Sequence, residues 1–114
     1  RDSLVVVALF LSHLANLNVS CKALRASYPN YFMSKKKIEL TADVDVDGIL
    51  TQMASNYKNE DVSTIDGVKV NFASEWVHLR KSNTEPIIRV YTESTSQEKA
   101  DKLADRIIAE IKNI

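Results

Sequence analysis

The sequence predicts an α+β fold: an antiparallel sheet with two helices on one face, preceded by an N-terminal helical segment. Three observations predict it. Val77 and Leu79 alternate with Trp76, His78 and Arg80, and Ile88 and Val90 alternate with Ile87, Arg89 and Tyr91, the period of half-buried strands. Asp66-Gly67 sits between two β-branched runs, Val62–Ile65 and Val68–Phe72, as a hairpin signal. After Thr95-Ser96-Gln97-Glu98, a hydroxyl with Glu three residues later, the residues Ala100, Leu103, Ala104, Ile107, Ile111 and Ile114 form one helical stripe. That stripe is expected to cover the aliphatic sheet face.

Composition bounds the function. The chain has 114 residues with 45% apolar content, enough for one small core. Fifteen basic residues balance fifteen acidic ones, so no general drive toward nucleic acid or an anionic membrane exists. Any anion site must be local. Cys21 is the only cysteine, which excludes an internal disulfide and suits a reducing cytoplasm. It is expected to be a small buried hydrophobe.

In chain order, Arg1-Asp2-Ser3 carries no initiator Met, and this abrupt start suggests a fragment cut from a longer protein. Residues 3–16 read as a helix with Asp2 or Ser3 as N-cap. It is apolar nearly all round, so it calls for a partner domain or an oligomer contact. Leu4–Leu11 is too short to span a membrane. Ser20 opens a short helix that Tyr28-Pro29 ends. The division read from the sequence is 1–34, a helical end and linker, and 35–114, the α+β unit.

Lys35-Lys36-Lys37 reads as a solvated strand start, and Lys37–Thr41 as a short strand. Asp43-Val44-Asp45-Val46-Asp47-Gly48 matches the opening of an EF-hand loop, but its twelfth position is Ala54 instead of Glu. Val46, Ile49, Leu50, Met53 and Tyr57 keep a helical spacing through it. An acidic helix N-terminus is the better reading.

The stretch richest in chemistry is Arg80-Lys81-Ser82-Asn83-Thr84-Glu85-Pro86, followed by Arg89. Guanidinium forks match phosphate and carboxylate geometry. Turn amides can form an anion nest, and Ser82, Asn83 and Thr84 add donors. A hairpin pairing Arg80 opposite Ile87 is expected to put Arg80 and Arg89 on one face. The plainer reading makes both arginines solvated surface charges, weakly paired with Glu85 or Glu93.

The run RKSNTEPIIR, continuing into VYTES, resembles the C-terminal signature of the α-D-phosphohexomutases, which include phosphoglucomutase, phosphomannomutase and phosphoglucosamine mutase. Asp66–Val70 and the final helix are similar to that family too, and RDSLVVVALFLSHLA resembles the last helix of its preceding domain. The resemblance implies a TATA-binding-protein-like fold for 35–114. It implies an enzyme that interconverts hexose 1-phosphates and 6-phosphates through a phosphoserine and a reoriented bisphosphate. Arg80, Ser82, Asn83, Thr84 and Arg89 would hold the substrate phosphate that is not being transferred. Mg2+ would assist at the phosphoserine, outside this stretch. No catalytic residue and no metal ligand is expected within it. The partners implied are a phosphosugar and the other domains of the same chain, with neither nucleic acid nor membrane. Asn83 stands where the family more often has Gly.

No P-loop, paired zinc cysteines, metalloprotease helix or nucleophile elbow is present. The competing reading is a non-enzymatic anion-binding or protein-interaction module. Which hexose phosphate is preferred depends on a recognition loop absent from these residues.

Overall fold

A computed structural model describes residues 2–114. It divides into two compact units, through Asn30 and from Tyr31. In the first, α1 (Ser3–Leu17) starts at Asp2, whose carboxylate accepts from the amides of Leu4 and Val5 at 3.1 and 3.2 Å. Asn18 ends it in the left-handed region at φ 52°, which Asn tolerates better than most residues. α2 (Cys21–Ser27) is capped by Ser20, which accepts from Ala23 N–H at 3.1 Å. No residue of α1 is buried. Cys21 is exposed, not a core residue: it stands at the first position of α2, beside the cap. Among the described residues no single helix is long and apolar enough to cross a membrane. Only the pair α1 and α2, bent by 86°, passes on length and composition together.

The second unit is a five-stranded antiparallel sheet in the order β1-β5-β4-β3-β2. The strands are β1 (Phe32–Glu39), β2 (Asp61–Ser63), β3 (Val68–Asn71), β4 (Trp76–Lys81) and β5 (Ile87–Ser94). β2 to β5 run as a meander, and β1 joins the far side of β5. α3 (Val46–Asn56) and α4 (Gln97–Lys112) supply the helix layer. β1 starts earlier than the lysine run suggested. Its three lysines alternate across the sheet, Lys36 reaching Asp105 of α4 at 2.6 Å while Lys35 lies 5.8 Å from the Tyr91 ring centroid.

The aliphatic positions expected to bury do so. Val77, Leu79, Ile88 and Val90 are each 0% exposed, packed with Leu50 and Met53 of α3 and Leu103 and Ile107 of α4. Ile114 falls off the stripe, past the helix end, and is exposed. The α4 cap is Ser96, one residue after the expected Thr95; its hydroxyl accepts from Lys99 N–H at 3.2 Å. At α3, Asp45 accepts from Gly48 N–H at 3.0 Å, so the EF-hand look-alike is a helix N-terminus. The β2–β3 connection is longer than a two-residue hairpin. Ser63 pairs with Lys69, Ile65 is exposed, and Gly67 takes φ +71°.

Candidate phosphate clamp

Two strands and their loop build the site. Arg80 on β4 is the direct cross-strand partner of Arg89 on β5, so the guanidiniums start from adjacent points of one face. That face is the one opposite the helices: Leu79 and Ile88 point into the core, while Arg80 and Arg89 are exposed. The expected register, Arg80 opposite Ile87, is wrong by two residues. The loop closes with Ser82 N–H donating to Ile87 C=O at 3.0 Å, which sets Ser82 across from Ile87. A two-residue shift preserves side-chain parity, so the shared face survives.

Loop geometry comes from a few polar bonds. Ile87 N–H donates to Glu85 C=O at 2.8 Å, and Leu40 N–H at the end of β1 donates to Pro86 C=O at 2.8 Å. Ser82 Oγ lies 3.3 Å from Thr84 Oγ1 and accepts weakly from Thr84 N–H at 3.4 Å. The amides of Asn83 and Glu85 donate to no protein group among the described residues. Arg80 and Arg89 therefore leave one end of the bare sheet face close in sequence to the Ser82–Thr84 loop; Arg80 and Asn83 line one groove, and Arg89 and Thr84 line neither groove at this loop.

The neighbouring charges sort the cations. Lys81 turns the other way, toward the helix layer, where its Nζ meets both carboxylate oxygens of Asp47 at 2.7 and 2.8 Å. Arg80 Nε stands 3.4 Å from Asp66 Oδ1. The Asp66 carbonyl accepts from His78 Nε2 at 2.6 Å, so the β2–β3 turn leans over β4 beside the clamp. Arg89 has no ion-pair partner among the described residues.

A shallow groove of about 400 Å³ runs between the loop and the start of α3, lined by Asp45, Asp47, Lys81, Ser82, Asn83 and Pro86 among others. A smaller one of about 190 Å³ joins Arg80, Lys81 and Asn83 to Asp66 and Gly67. No three His, Cys, Asp or Glu side chains among the described residues converge, and Asp47 and Asp66 are engaged by Lys81 and Arg80.

Sequence reasoning missed Lys37. It lies directly across β1–β5 from Arg89, extending the cationic row to a third strand. The signal was present in the alternation of the lysine run, but the pairing of β1 with β5 is a long-range fact.

Fold and site together describe an α+β domain that presents paired guanidiniums and a donor-rich hairpin loop on an uncovered sheet face. The chain belongs to the phosphoglucomutase/phosphomannomutase C-terminal domain family, whose description matches residues 32–110. It is 37% identical to a phosphoglucosamine/phosphogalactosamine mutase of Sulfurisphaera tokodaii, over 100% of this chain and 25% of that protein. It is 31% identical to a phosphoglucomutase/phosphomannomutase of Thermococcus kodakarensis, over 88% of this chain and 22% of that protein. A phosphomannomutase/phosphoglucomutase of Pseudomonas putida is 28% identical over 91% of this chain and 23% of its own length. The chain thus spans about a quarter of the length of these curated relatives.

Proposed function

We propose that this chain is the substrate-phosphate-holding domain of a phosphohexomutase that interconverts hexose 1-phosphates and 6-phosphates. Arg80, Ser82, Asn83, Thr84 and Arg89 grip the phosphate not being transferred. The observation that carries the reading is the direct Arg80–Arg89 pairing beside a loop with two free amides. The clamp positions the substrate and performs no bond chemistry itself. Binding energy from the remote phosphate orients the reacting end. The phosphorylated serine and the Mg2+ that serves it belong to other domains of the same protein, so these residues alone turn over no substrate. A cytoplasmic setting fits a free, exposed thiol at Cys21.

The test is kinetic, in the intact mutase. Arg80→Ala and Ser82→Ala should each raise KM and lower kcat/KM, each lost charge-assisted bond costing about 1.5–3 kcal/mol. Unchanged kinetics in both variants would remove the clamp. The 114-residue chain by itself should bind a hexose phosphate weakly, and a submicromolar constant by calorimetry would contradict the need for closure by other domains.

A second reading concerns α1. We infer that residues 1–34 are the helical end of a preceding domain. α1 has no buried residue, and the likeness to the Sulfurisphaera protein extends across the whole chain, beyond the residues 32–110 of the C-terminal family. An oligomer contact, or an interaction module with no enzymatic partner, would use the same surface. The oligomeric state of the intact protein separates these: a monomer in which α1 is protected from hydrogen exchange supports the domain reading.

A further inference from the structure

Of the cations on the bare face outside the clamp, Lys35 lies over Tyr91 and Lys69 over Trp76, and Lys37 is the one in register with the arginines. Lys37 on β1 is opposite Arg89 on β5, which is opposite Arg80 on β4. One row of the sheet therefore carries a cation on each of three neighbouring strands. Adjacent strands stand about 4.8 Å apart, and like charges placed directly opposite destabilise a sheet. Local carboxylates balance only the ends of the row. Asp66 meets Arg80 at 3.4 Å and Glu39 meets Lys37 at 3.0 Å, while Arg89 in the middle is unpaired among the described residues.

Two further facts tie Lys37 to the loop. The Leu40–Pro86 backbone bond of 2.8 Å clasps the end of β1 to the loop, and Glu39 is the register partner of Ile87, where the loop re-enters the sheet. The Lys37 ammonium is also held above its usual pKa, first by its hydrogen bond to Glu39 and in lesser part by Glu85 of the loop. Lys37 thus meets the Glu39 carboxylate, which would repel an anion arriving at this end of the sheet.

We propose that Lys37 is a positioning residue of the anion site, neutralising Glu39 beside the Arg80–Arg89 pair so that a phosphate dianion is admitted there. The inference rests on the reading of Arg80, Ser82–Thr84 and Arg89 as a phosphate clamp. Its ligand class is the phosphomonoester, and its contribution is Coulombic, through the field at the clamp.

The test is an NMR titration of the intact mutase with inorganic phosphate at low ionic strength, following the Ser82–Thr84 amides. Lys37→Met should weaken the apparent Kd about threefold, the scale of one unit charge a few ångströms away in a wet site. Lys37→Arg should restore the wild-type value, and Glu39→Gln should tighten binding. A purely structural role would not give opposite signs for the two partners of one ion pair. If Lys37→Met binds like wild type while Arg80→Ala binds more weakly, the Lys37 role is overturned and the clamp stands. If phosphate moves no Ser82–Thr84 amide in the wild type, the clamp falls and this inference with it.

Discussion

The two faces of this sheet obey opposite rules. Behind it, Val77, Leu79, Ile88 and Val90 meet Met53, Leu103 and Ile107 with essentially no exposure, and the only requirement is filled volume. In front, Lys37, Arg89 and Arg80 share a row that repels itself, with Asp66 and Glu39 balancing its ends. The rear face is what a stable fold needs. The front face keeps a charge arrangement that folding alone would not favour, which is the pattern expected where stability yields to binding. The two sets of residues sit next to each other along the same strands, so single substitutions can separate their roles.

The largest effect belongs to the rear. Ile107→Ala, at a position with 0% exposure, should cost about 2–5 kcal/mol in urea unfolding. The protein that remains folded should keep its phosphate affinity. A loss of affinity without a loss of stability would erase the distinction between the faces.

Gly67→Ala crosses the boundary. Gly67 holds φ +71°, and an added Cβ would run into the Leu79 carbonyl and lie 3.3 Å from Arg80 Cα. Left-handed strain of this kind costs about 1–3 kcal/mol. Because the same turn carries Asp66, the variant should also disturb the Arg80 resonances. A variant as stable as wild type, with Arg80 undisturbed, would show that the turn is not what braces the clamp. Arg80→Ala, by contrast, should shift unfolding stability by less than about 0.5 kcal/mol, the usual range for an exposed side chain, while its defect appears in phosphate binding. A large stability loss there would mean that the bare face is structural after all.

How far the sequence reaches follows the same division. The rear was legible because burial writes a period: two for the strands, three to four for α4. The helix order and the acidic start of α3 followed from local chemistry. The front was legible only in part. The spacing of Arg80 and Arg89 was visible, but their pairing depended on how the loop closed, and the Ser82–Ile87 bond moved it by two residues. Lys37 was invisible as a neighbour of Arg89, since nothing local places β1 beside β5. The α4 cap slipped by a residue, from Thr95 to Ser96, because either hydroxyl can serve as an N-cap, although only Thr95 has Glu three residues later. The Asp66-Gly67 turn lengthened because its Asp reaches His78 and Arg80 instead of closing a two-residue hairpin.

The smallest predicted effect tests the helix layer by pH. Tyr57, at the end of α3, donates its hydroxyl to the Glu110 carboxylate of α4 at 2.7 and 2.8 Å, and its ring meets Phe72 edge-on at 5.8 Å. Burial first, then the hydrogen bond and the charge of Glu110, push the phenol up to about 12, with Arg106 pulling partly the other way. The folded pKa exceeds the ordinary value near 10, so the folded state holds this proton more tightly than the unfolded chain. The associated stability is therefore complete below pH 10 and is lost as pH rises from 10 toward 12. An ultraviolet titration should show one of the four tyrosines ionising late, and Tyr57→Phe should abolish that late step. The phosphate affinity of Tyr57→Phe should match wild type, because the contact lies wholly within the rear layer. A late step that persists in Tyr57→Phe would assign the shift to another tyrosine.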